Sequence, residues 1–429
     1  MAYLVAPPGS KSRIAIGIGI GLMLLLFGAV ALADTATGLN SLTELALANN
    51  PGIASAKRQA DAAAANVSPA GVLPDPELMI ESMDNPLGSS MGMTSPGFEF
   101  SLMQMIPFPG KRPLAVERQR AAADAAAGAY AMKRADLQKD VALMYYGIAS
   151  MDAQLAIEAK KQKQLEAMGK VIAAEYSNGK ASLSEFIRTN TMKAMAKTEI
   201  LAMEAERARM AAELAAMLGG AIPEGTAFAY EVAPLRRVPD EAEMVEAALR
   251  KFPEIGMKQA MERGMAAEAR QMKLETAPDF TVRGAIQRMD NGDRTYSLGI
   301  GVPLPLFRSQ KQTPLAGAAA DLSEAATQER LDAANRIAQE VRARRAALVN
   351  AQEALGLLGS SIKKGAEQAF EVALKDYQSG RINFSELLEA FRMLYDTALE
   401  QEKTKRLVVE ERVYLDFYTV GSLRWEEKP

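Results

Sequence analysis

Two absences limit the chemistry that the side chains of this sequence can perform. The 429 residues include no His and no Cys, which removes the commonest general base, every thiol nucleophile, every disulfide and every His/Cys metal site. Carboxylates, Lys, Tyr, hydroxyl groups and 24 Met thioethers remain. Two carboxylates such as Glu81 and Glu99 are able to do acid/base chemistry in principle, but no nucleophile, phosphate loop or cofactor motif accompanies them. We therefore expect neither an enzyme nor a bound cofactor.

Methionines and carboxylates are concentrated in one segment of the first half of the chain. Six of them alternate along two predicted strands so that they share one face: Met79, Met83, Met103, Met105, Glu81 and Glu99. Thioethers are soft ligands that suit Cu(I) or Ag(I), so this face is a candidate metal-binding surface. The alternative is that Met, which is frequent in this chain, serves as adaptable packing.

The overall charge gives no reason to expect a nucleic-acid partner. Lys and Arg number 50 against 53 Asp and Glu, for a formal net charge of -3. A chain so close to neutral creates no bulk field that would attract phosphates.

The N-terminus indicates the compartment. Lys11 and Arg13 precede an uncharged, Gly/Leu-rich stretch that ends in Ala31-Leu32-Ala33, which is typical of a secretory signal peptide over residues 1–33. The alternative is an uncleaved membrane anchor. No later segment has the roughly 18 uncharged residues that a spanning helix needs, so any further entry into a membrane must use strands.

The remaining sequence consists of one unit that is repeated once, and corresponding positions lie about 200 residues apart. Matching landmarks include Pro51 with Pro253, Pro107 with Pro303, and Gly179 with Gly380. We predict a first structural repeat over residues 34–238, with a β-hairpin at 76–106 and a helical hairpin at 110–218. The second repeat covers residues 239–429, with a β-hairpin at 279–305 and a helical hairpin at 310–418.

Two periodicities support this layout. Residues 97–106, 279–288 and 295–302 alternate apolar with small or polar residues, as in a strand with one face on lipid or on a core. Residues 111–176 and 310–377 contain Pro only near their starts and carry heptad spacing, which predicts two uninterrupted helices of roughly 100 Å. Four strands are too few to close a membrane barrel, since even the smallest has about eight. The chain must oligomerise, or the strands do not span a membrane.

With these features the sequence resembles the outer-membrane efflux protein family, the TolC-like exit ducts of Gram-negative tripartite pumps. The resemblance rests on the duplicated unit, on the two Tyr-x-x-Gly turns at 176–179 and 377–380, and on the segment SLMQMIPFPGKR, residues 101–112, which looks like the heavy-metal efflux branch. It implies an α+β membrane protein: a homotrimer with a 12-stranded outer-membrane β-barrel, four strands from each chain, continued by a long periplasmic α-helical coiled-coil barrel.

The resemblance also implies a function and the residues that carry it. The chain would be the passive outer-membrane duct of an efflux pump, opened by a periplasmic membrane-fusion adaptor that docks at the tips and working with an inner-membrane pump. The tip residues are Tyr176, Gly179, Tyr377 and Gly380. Glu386 and Glu389 correspond to the family's acidic gate, whereas the first repeat has Glu185 and Arg188 at the equivalent positions.

Heavy-metal cations are the substrate that the resemblance favours, with drugs or secreted proteins as alternatives. A different class of protein, a soluble periplasmic coiled-coil scaffold or adaptor without a pore, stays open at this point. It requires the alternating segments to form a small soluble sheet.

Overall fold

The computed structural model describes residues 38–83, 97–230, 232, 235–289, 292–420 and 426–427, which all belong to one unit, Thr37–Pro429. The predicted signal peptide, residues 84–96 of the first predicted β-hairpin and residues 290–291 of the second lie outside this description.

The first repeat begins with two short helices that Asn50 joins. Its side chain accepts hydrogen bonds from the backbone N–H groups of Gly52 and Ile53, and Pro51 occupies the first helical position, where it has no N–H to lose. The elements of this repeat are α1 Leu39–Asn49, α2 Pro51–Ala65, a 3-10 turn at Pro69–Gly71, β1 Glu77–Met83, β2 Gly97–Ile106, α3 Lys111–Ser177 and α4 Leu183–Met217.

The second repeat follows the same plan and adds a short sheet that the sequence did not predict. Its elements are β3 Leu235–Arg237, α5 Glu241–Lys251, α6 Pro253–Leu274, β4 Phe280–Arg288, β5 Arg294–Gly301, α7 Gln312–Leu357, a π-helical turn at Leu358–Ile362, α8 Lys363–Gln378, α9 Phe384–Thr419 and β6 Glu426–Glu427. Strands β3 and β6 pair antiparallel, which ties the linker between the repeats to the C-terminal residues.

The long helix predicted over 310–377 is present from Gln312 to Gln378, but it contains one π-helical turn that was not predicted. The π-helical turn separates α7 from α8, and the hydroxyls of Ser360 and Ser361 donate to the carbonyls of Gly356 and Leu357 at 2.7 and 3.2 Å. Glycines weaken a helix and hydroxyls compete for its carbonyls, so the local sequence accounts for the interruption. The three segments have 46, 5 and 16 residues, which together equal the 67 of α3.

A four-stranded antiparallel sheet in the order β1-β2-β4-β5 unites the two repeats, because β2 of the first pairs with β4 of the second. Residues directly opposite each other lie on the same face of the sheet. One face carries large apolar side chains that are exposed in the single chain: Leu78, Ile80, Phe100, Leu102, Ile286, Tyr296, Leu298 and Ile300. The outer edges of β1 and β5 have no pairing strand among the described residues.

The helices form a layer in which α3 and α9 are central. Helix α3 packs against α4, α6 and α9, while α9 also packs against α7 and α8. Apolar side chains of α3, α8 and α9 form one core cluster near the hairpin tips, and two further clusters lie where α1 and α5 join the long helices. Within the described ranges, no helix is both long and apolar enough to cross a membrane.

A buried lysine secures the sheet to the helices. Lys111, the first residue of α3, forms ion pairs with Glu275 at 3.0 Å and Asp279 at 2.9 Å, and Asp279 also accepts the backbone N–H of Phe108. Burial acts to lower the pKa of Lys111, but hydrogen bonds to both carboxylates outweigh it and the pKa is raised. The PFPGKR segment is therefore the joint at which strand becomes helix.

Candidate functional site

The two Tyr-x-x-Gly turns have the same backbone geometry. The N–H of Gly179 donates to the Tyr176 carbonyl at 3.0 Å, and that of Lys180 donates to Glu175 at 2.8 Å. In the second repeat, Gly380 and Arg381 make the equivalent bonds at 2.9 and 2.8 Å. These are Schellman motifs, which require a residue with positive φ. The φ angles of 72° at Gly179 and 74° at Gly380 explain why glycine follows each tyrosine at this distance.

The helices that follow the turns begin with matching caps. Ser182 accepts the N–H of Glu185 at 3.2 Å while the Glu185 side chain accepts the N–H of Ser182, a reciprocal capping box. In the second repeat Asn383 accepts the N–H of Glu386 at 3.1 Å, and its amide donates to the Glu386 side chain at 2.7 Å. The predicted gate residue Glu386 therefore also supports the start of α9.

The predicted gate pair is exposed. Glu386 and Glu389 lie three residues apart on one side of α9, and both are open to solvent in the single chain. The equivalent of Glu389 in the first repeat, Arg188, crosses to the second hairpin and donates to the Ser385 hydroxyl at 2.9 Å. The two tips thus present different charges at equivalent positions.

A second contact joins the tips. The Tyr377 hydroxyl donates to Glu175 at 3.0 Å, linking the second turn to the end of α3. Burial and this hydrogen bond raise the pKa of Tyr377 above its ordinary range. Tyr176 has no equivalent link in the described residues and stacks on Phe186, with ring centres 5.6 Å apart. Sequence matching placed both tyrosines at the tips without indicating that only one connects the hairpins.

Higher on the first hairpin lies a buried charged group that the sequence analysis missed. Glu158, on α3, is 1% exposed, and Lys161 bridges it to Glu199 of α4 at 3.1 and 3.0 Å. The second carboxylate oxygen of Glu158 has no hydrogen-bond partner. Burial therefore raises the pKa of Glu158 in spite of the attraction to Lys161. A Glu followed three residues later by Lys is too common on helices to have signalled this.

The other predicted site lies on the inner face of the sheet, opposite the apolar face. The register places Glu81 directly across from Glu99, and Met79 across from Ser101. Met103 lies between Glu77 and Arg283, and Met105 faces Thr281. Met83 ends β1 opposite Gly97, and its side chain lies outside the described structure.

An arginine from the second repeat changes the electrostatics of this face. Arg283 forms an ion pair with Glu99, which offsets the repulsion that two opposed carboxylates would otherwise feel. Ser101 and Ala285, which lie between the two charged positions, are buried. No group of three or more acidic ligands is positioned for a metal among the described residues. The structure therefore brings the predicted Met and Glu residues to one face without assembling them into a carboxylate metal site.

Among the described residues, the sheet has two open edges, one face with large apolar side chains and an opposite face with polar side chains, and long helical hairpins continue from it. This combination is also found in known proteins. Residues 42–220 match the family model described as outer membrane efflux protein. The cobalt-zinc-cadmium resistance protein CzcC of Cupriavidus metallidurans is 23% identical over 394 residues, covering 86% of this chain and 90% of the relative.

Solved structures share the fold. The outer-membrane channel OprN has a TM-score of 0.77 at 16% identity, with 90% of both chains covered. The outer membrane protein VceC from Vibrio cholerae has a TM-score of 0.75 at 18% identity, covering 89% of this chain and 95% of that one.

Residues 42–220, less than half of the chain, thus match the outer membrane efflux protein family model, and the solved structures share the fold of nearly the whole chain.

Proposed function

We propose that three copies of this chain close into an outer-membrane exit duct of a tripartite efflux pump. The observation that carries the proposal is the four-stranded sheet, in which the outer edges of β1 and β5 have no partner strand within the part of the chain that the structure describes. Unpaired strand edges are unfavourable, above all in lipid, and antiparallel pairing of β1 in one copy with β5 in the next removes both. Three copies supply twelve strands, enough to close a barrel.

The exposed side chains support a membrane location for the sheet. Leu298 and Ile300 are 80% and 73% exposed on the outer face, while Ser297 and Gly299 occupy the inner face of the same strand. An apolar face of this size suits lipid and would be costly in water. This observation favours the duct over the soluble scaffold without a pore.

The helical layer also has an edge for a neighbouring copy. Near the tips, α4 packs mainly on α3, which leaves Leu183, Ile187 and Met195 more than half exposed. Burying them against the next copy is favourable at about 25 cal/mol per Å². The helices of three copies then line the periplasmic continuation of the duct.

Opening is assigned to the tips, where a periplasmic adaptor would dock on the turns of Tyr176–Gly179 and Tyr377–Gly380. The contacts Tyr377 to Glu175 and Arg188 to Ser385 hold the two hairpins of a chain together, so separating the hairpins requires breaking both. Three copies would gather Glu386 and Glu389 into two carboxylate rings that favour cations over anions.

The proposed cargo is a heavy-metal cation. Similarity to a cobalt-zinc-cadmium resistance protein supports this choice. So does the inner face of the sheet, whose charged residues in each chain are Glu77, Glu81, Glu99 and a single opposing Arg283 among the described residues. Three copies give a net negative lining that concentrates cations. Met79, Met103 and Met105 on the same face add soft ligands for transient contact.

Conductance across a planar lipid bilayer tests the gate. The Tyr377→Phe variant loses the hydroxyl that binds Glu175, so we expect a higher open fraction than in the unmodified protein. Tyr176→Phe is the matched control, because its ring stacks on Phe186 and its hydroxyl makes no such link. Equal opening of the two variants contradicts the assignment. Replacing both Glu386 and Glu389 with alanine should lower the preference of the pore for cations over anions. Unchanged ion selectivity in this variant would contradict the acidic rings.

Reversal potentials under a salt gradient test the role of the sheet lining. Arg283→Gln frees Glu99 and should raise cation selectivity, whereas Glu99→Gln should lower it. Replacing Met79, Met103 and Met105 with Leu should leave the selectivity for K⁺ unchanged and reduce resistance to Cu(I) or Ag(I) in cells. Intact resistance in the Leu variant would assign these methionines to packing alone.

A further inference from the structure

Two arginines lie side by side at one end of the apolar face of the sheet. Arg288 ends β4, Arg294 begins β5, and the register places them directly opposite each other. Both are exposed, and neither forms an ion pair within the described part of the chain. Like charges directly opposite on neighbouring strands repel each other, so this pair is unfavourable without an anion between them.

Their neighbours on the same face identify the surroundings. Ile286 and Tyr296, the next pair along these strands, are 60% and 91% exposed, followed by Leu298 at 80%. Phe98 flanks Arg288 on the other side. The arginines thus terminate an apolar stripe, with an exposed aromatic ring one step inside it, which is the arrangement found where a membrane's hydrocarbon meets its headgroups.

The position of the arginine pair along its strands agrees with a location at the boundary between hydrocarbon and headgroups. From Phe280, beside the helical joint, to Arg288 is on the order of 25 Å of strand, close to the height of the apolar band of a membrane barrel. The strands leave the helices at Phe280 and Gly301, so the arginine pair lies at the end remote from the helices. With the helices on the periplasmic side, that end faces the outer leaflet.

We propose that Arg288 and Arg294 form a binding site for the phosphate of an anionic lipid. Guanidinium groups bind phosphate oxygens through paired hydrogen bonds, and one phosphate held between the two arginines relieves their mutual repulsion. The acyl chains lie along Ile286, Tyr296 and Leu298. This site rests on the proposed function, because it requires the apolar face of the sheet to contact lipid.

Native mass spectrometry of the protein in mild detergent tests the site and the assembly in one spectrum. Phosphatidylglycerol is titrated as the probe, with phosphatidylcholine of the same acyl chains as the zwitterionic reference. Arg288→Gln and Arg294→Gln should each reduce retained phosphatidylglycerol by about fivefold, with a larger loss in the double variant and no change for phosphatidylcholine. Arg283→Gln is the matched control: it removes an arginine from the same strand, on the inner face, and should retain lipid normally.

Three outcomes overturn the site: undiminished phosphatidylglycerol in the double variant, an equal loss in Arg283→Gln, or displacement of the lipid by inorganic phosphate at millimolar concentration, which would make the pair a general anion site. The protein mass in the same spectrum reads the assembly separately. Absence of a trimer rejects the duct, whereas a trimer with unchanged lipid retention rejects only the lipid site.

Discussion

The starts of α4 and α9 are equivalent in sequence and opposite in burial. Leu183 and Ile187 of α4 correspond to Phe384 and Leu388 of α9 at the spacing of the repeat. The first two are 53% and 54% exposed, while the second two are 1% and 3% exposed. All four are large apolar residues. Within each corresponding pair, the two residues follow their turn glycine by the same number of positions, and the two turns make the same backbone hydrogen bonds.

The neighbours of each helix explain the difference. Helix α9 lies against α3 and α8 and contributes to the core cluster at the tips, whereas the main partner of α4 is α3 alone. The duplication gives α4 and α9 the same apolar pattern, but only the apolar residues of α9 are buried within a single chain. The other copy is available to the neighbouring chain, so the comparison separates residues that fold the hairpin from residues that assemble it.

The largest effect is expected from removing the buried member of this comparison. Leu388→Ala leaves a cavity in the tip cluster and should cost about 2–5 kcal/mol of local stability, whereas Ile187→Ala should leave the single chain nearly unchanged. Hydrogen exchange of the tip amides measures the first effect, and the trimer fraction at low protein concentration measures the second. If Ile187→Ala loosens the tip as much as Leu388→Ala does, the distinction between the two helices is wrong.

A smaller, pH-dependent effect should follow from the buried carboxyl of the first hairpin. Burial raises the pKa of Glu158 in the folded chain, so the folded state binds the proton more tightly than the unfolded state. The contribution of this group is fully present below its unfolded pKa, near 4.3, and is lost as the pH rises through the raised folded value. Lys161, whose pKa is raised through hydrogen bonds to Glu199 and Glu158 against the effect of burial, stays charged over this range.

The other titratable groups near Glu158 come from α3, α4 and α9. Glu199 on α4 and the Tyr395 hydroxyl on α9, which donates to Gln164 at 2.8 Å, complete the surroundings. Protection of the first hairpin against proteolysis should therefore fall from pH 4 towards neutrality, and Glu158→Gln should flatten that fall. The unmodified chain is the reference, because the second hairpin has its own buried carboxyl of raised pKa, Glu411. A fall of the same slope in Glu158→Gln would contradict the role of this carboxyl.

The smallest effect should be equal in both repeats. Gly179→Ala and Gly380→Ala each place a side chain at a φ angle above 70°, and each should cost about 1 kcal/mol through backbone strain. No atom lies within 4 Å of the added Cβ at either glycine, so steric contact adds nothing. The shift in thermal unfolding of each tip is the readout. A much larger loss at one glycine would show that its turn is held by contacts beyond the backbone motif.

Periodicity was sufficient to locate the four strands of the main sheet and the long helices, and the repeat located the turns at their tips. The alternation of Phe98, Phe100 and Leu102 gave the correct shared face of β2, because a strand has only two faces. The positions of the turn glycines followed from the Tyr-x-x-Gly repeat. The resemblance added the family, which no periodicity contains.

What the sequence did not reveal depends on contacts between distant segments. The pairing of Arg283 with Glu99 and of Tyr377 with Glu175 joins residues of different repeats, and no local pattern specifies such partners. The π-helical turn was the one local feature that was missed, although Gly356, Gly359 and the two serines between 359 and 362 were a visible warning. Which copy of a duplicated apolar face is buried was equally hidden, because it depends on the order of the helices in the layer.

The two helical segments that lead to the turns, α3 and the run from α7 to α8, have equal numbers of residues, and this has a consequence for symmetry. Because 67 residues lead to each turn and side chains link the two tips, a chain ends in two nearly level hairpins of unlike charge, one with Glu185 and Arg188 and the other with Glu386 and Glu389. Three chains then present six ends with only threefold true symmetry. A partner ring of six identical subunits would contact the two kinds of hairpin tip in alternation, so its subunits would bind in two different environments. A ring of three would contact one kind of tip and leave the other kind unbound.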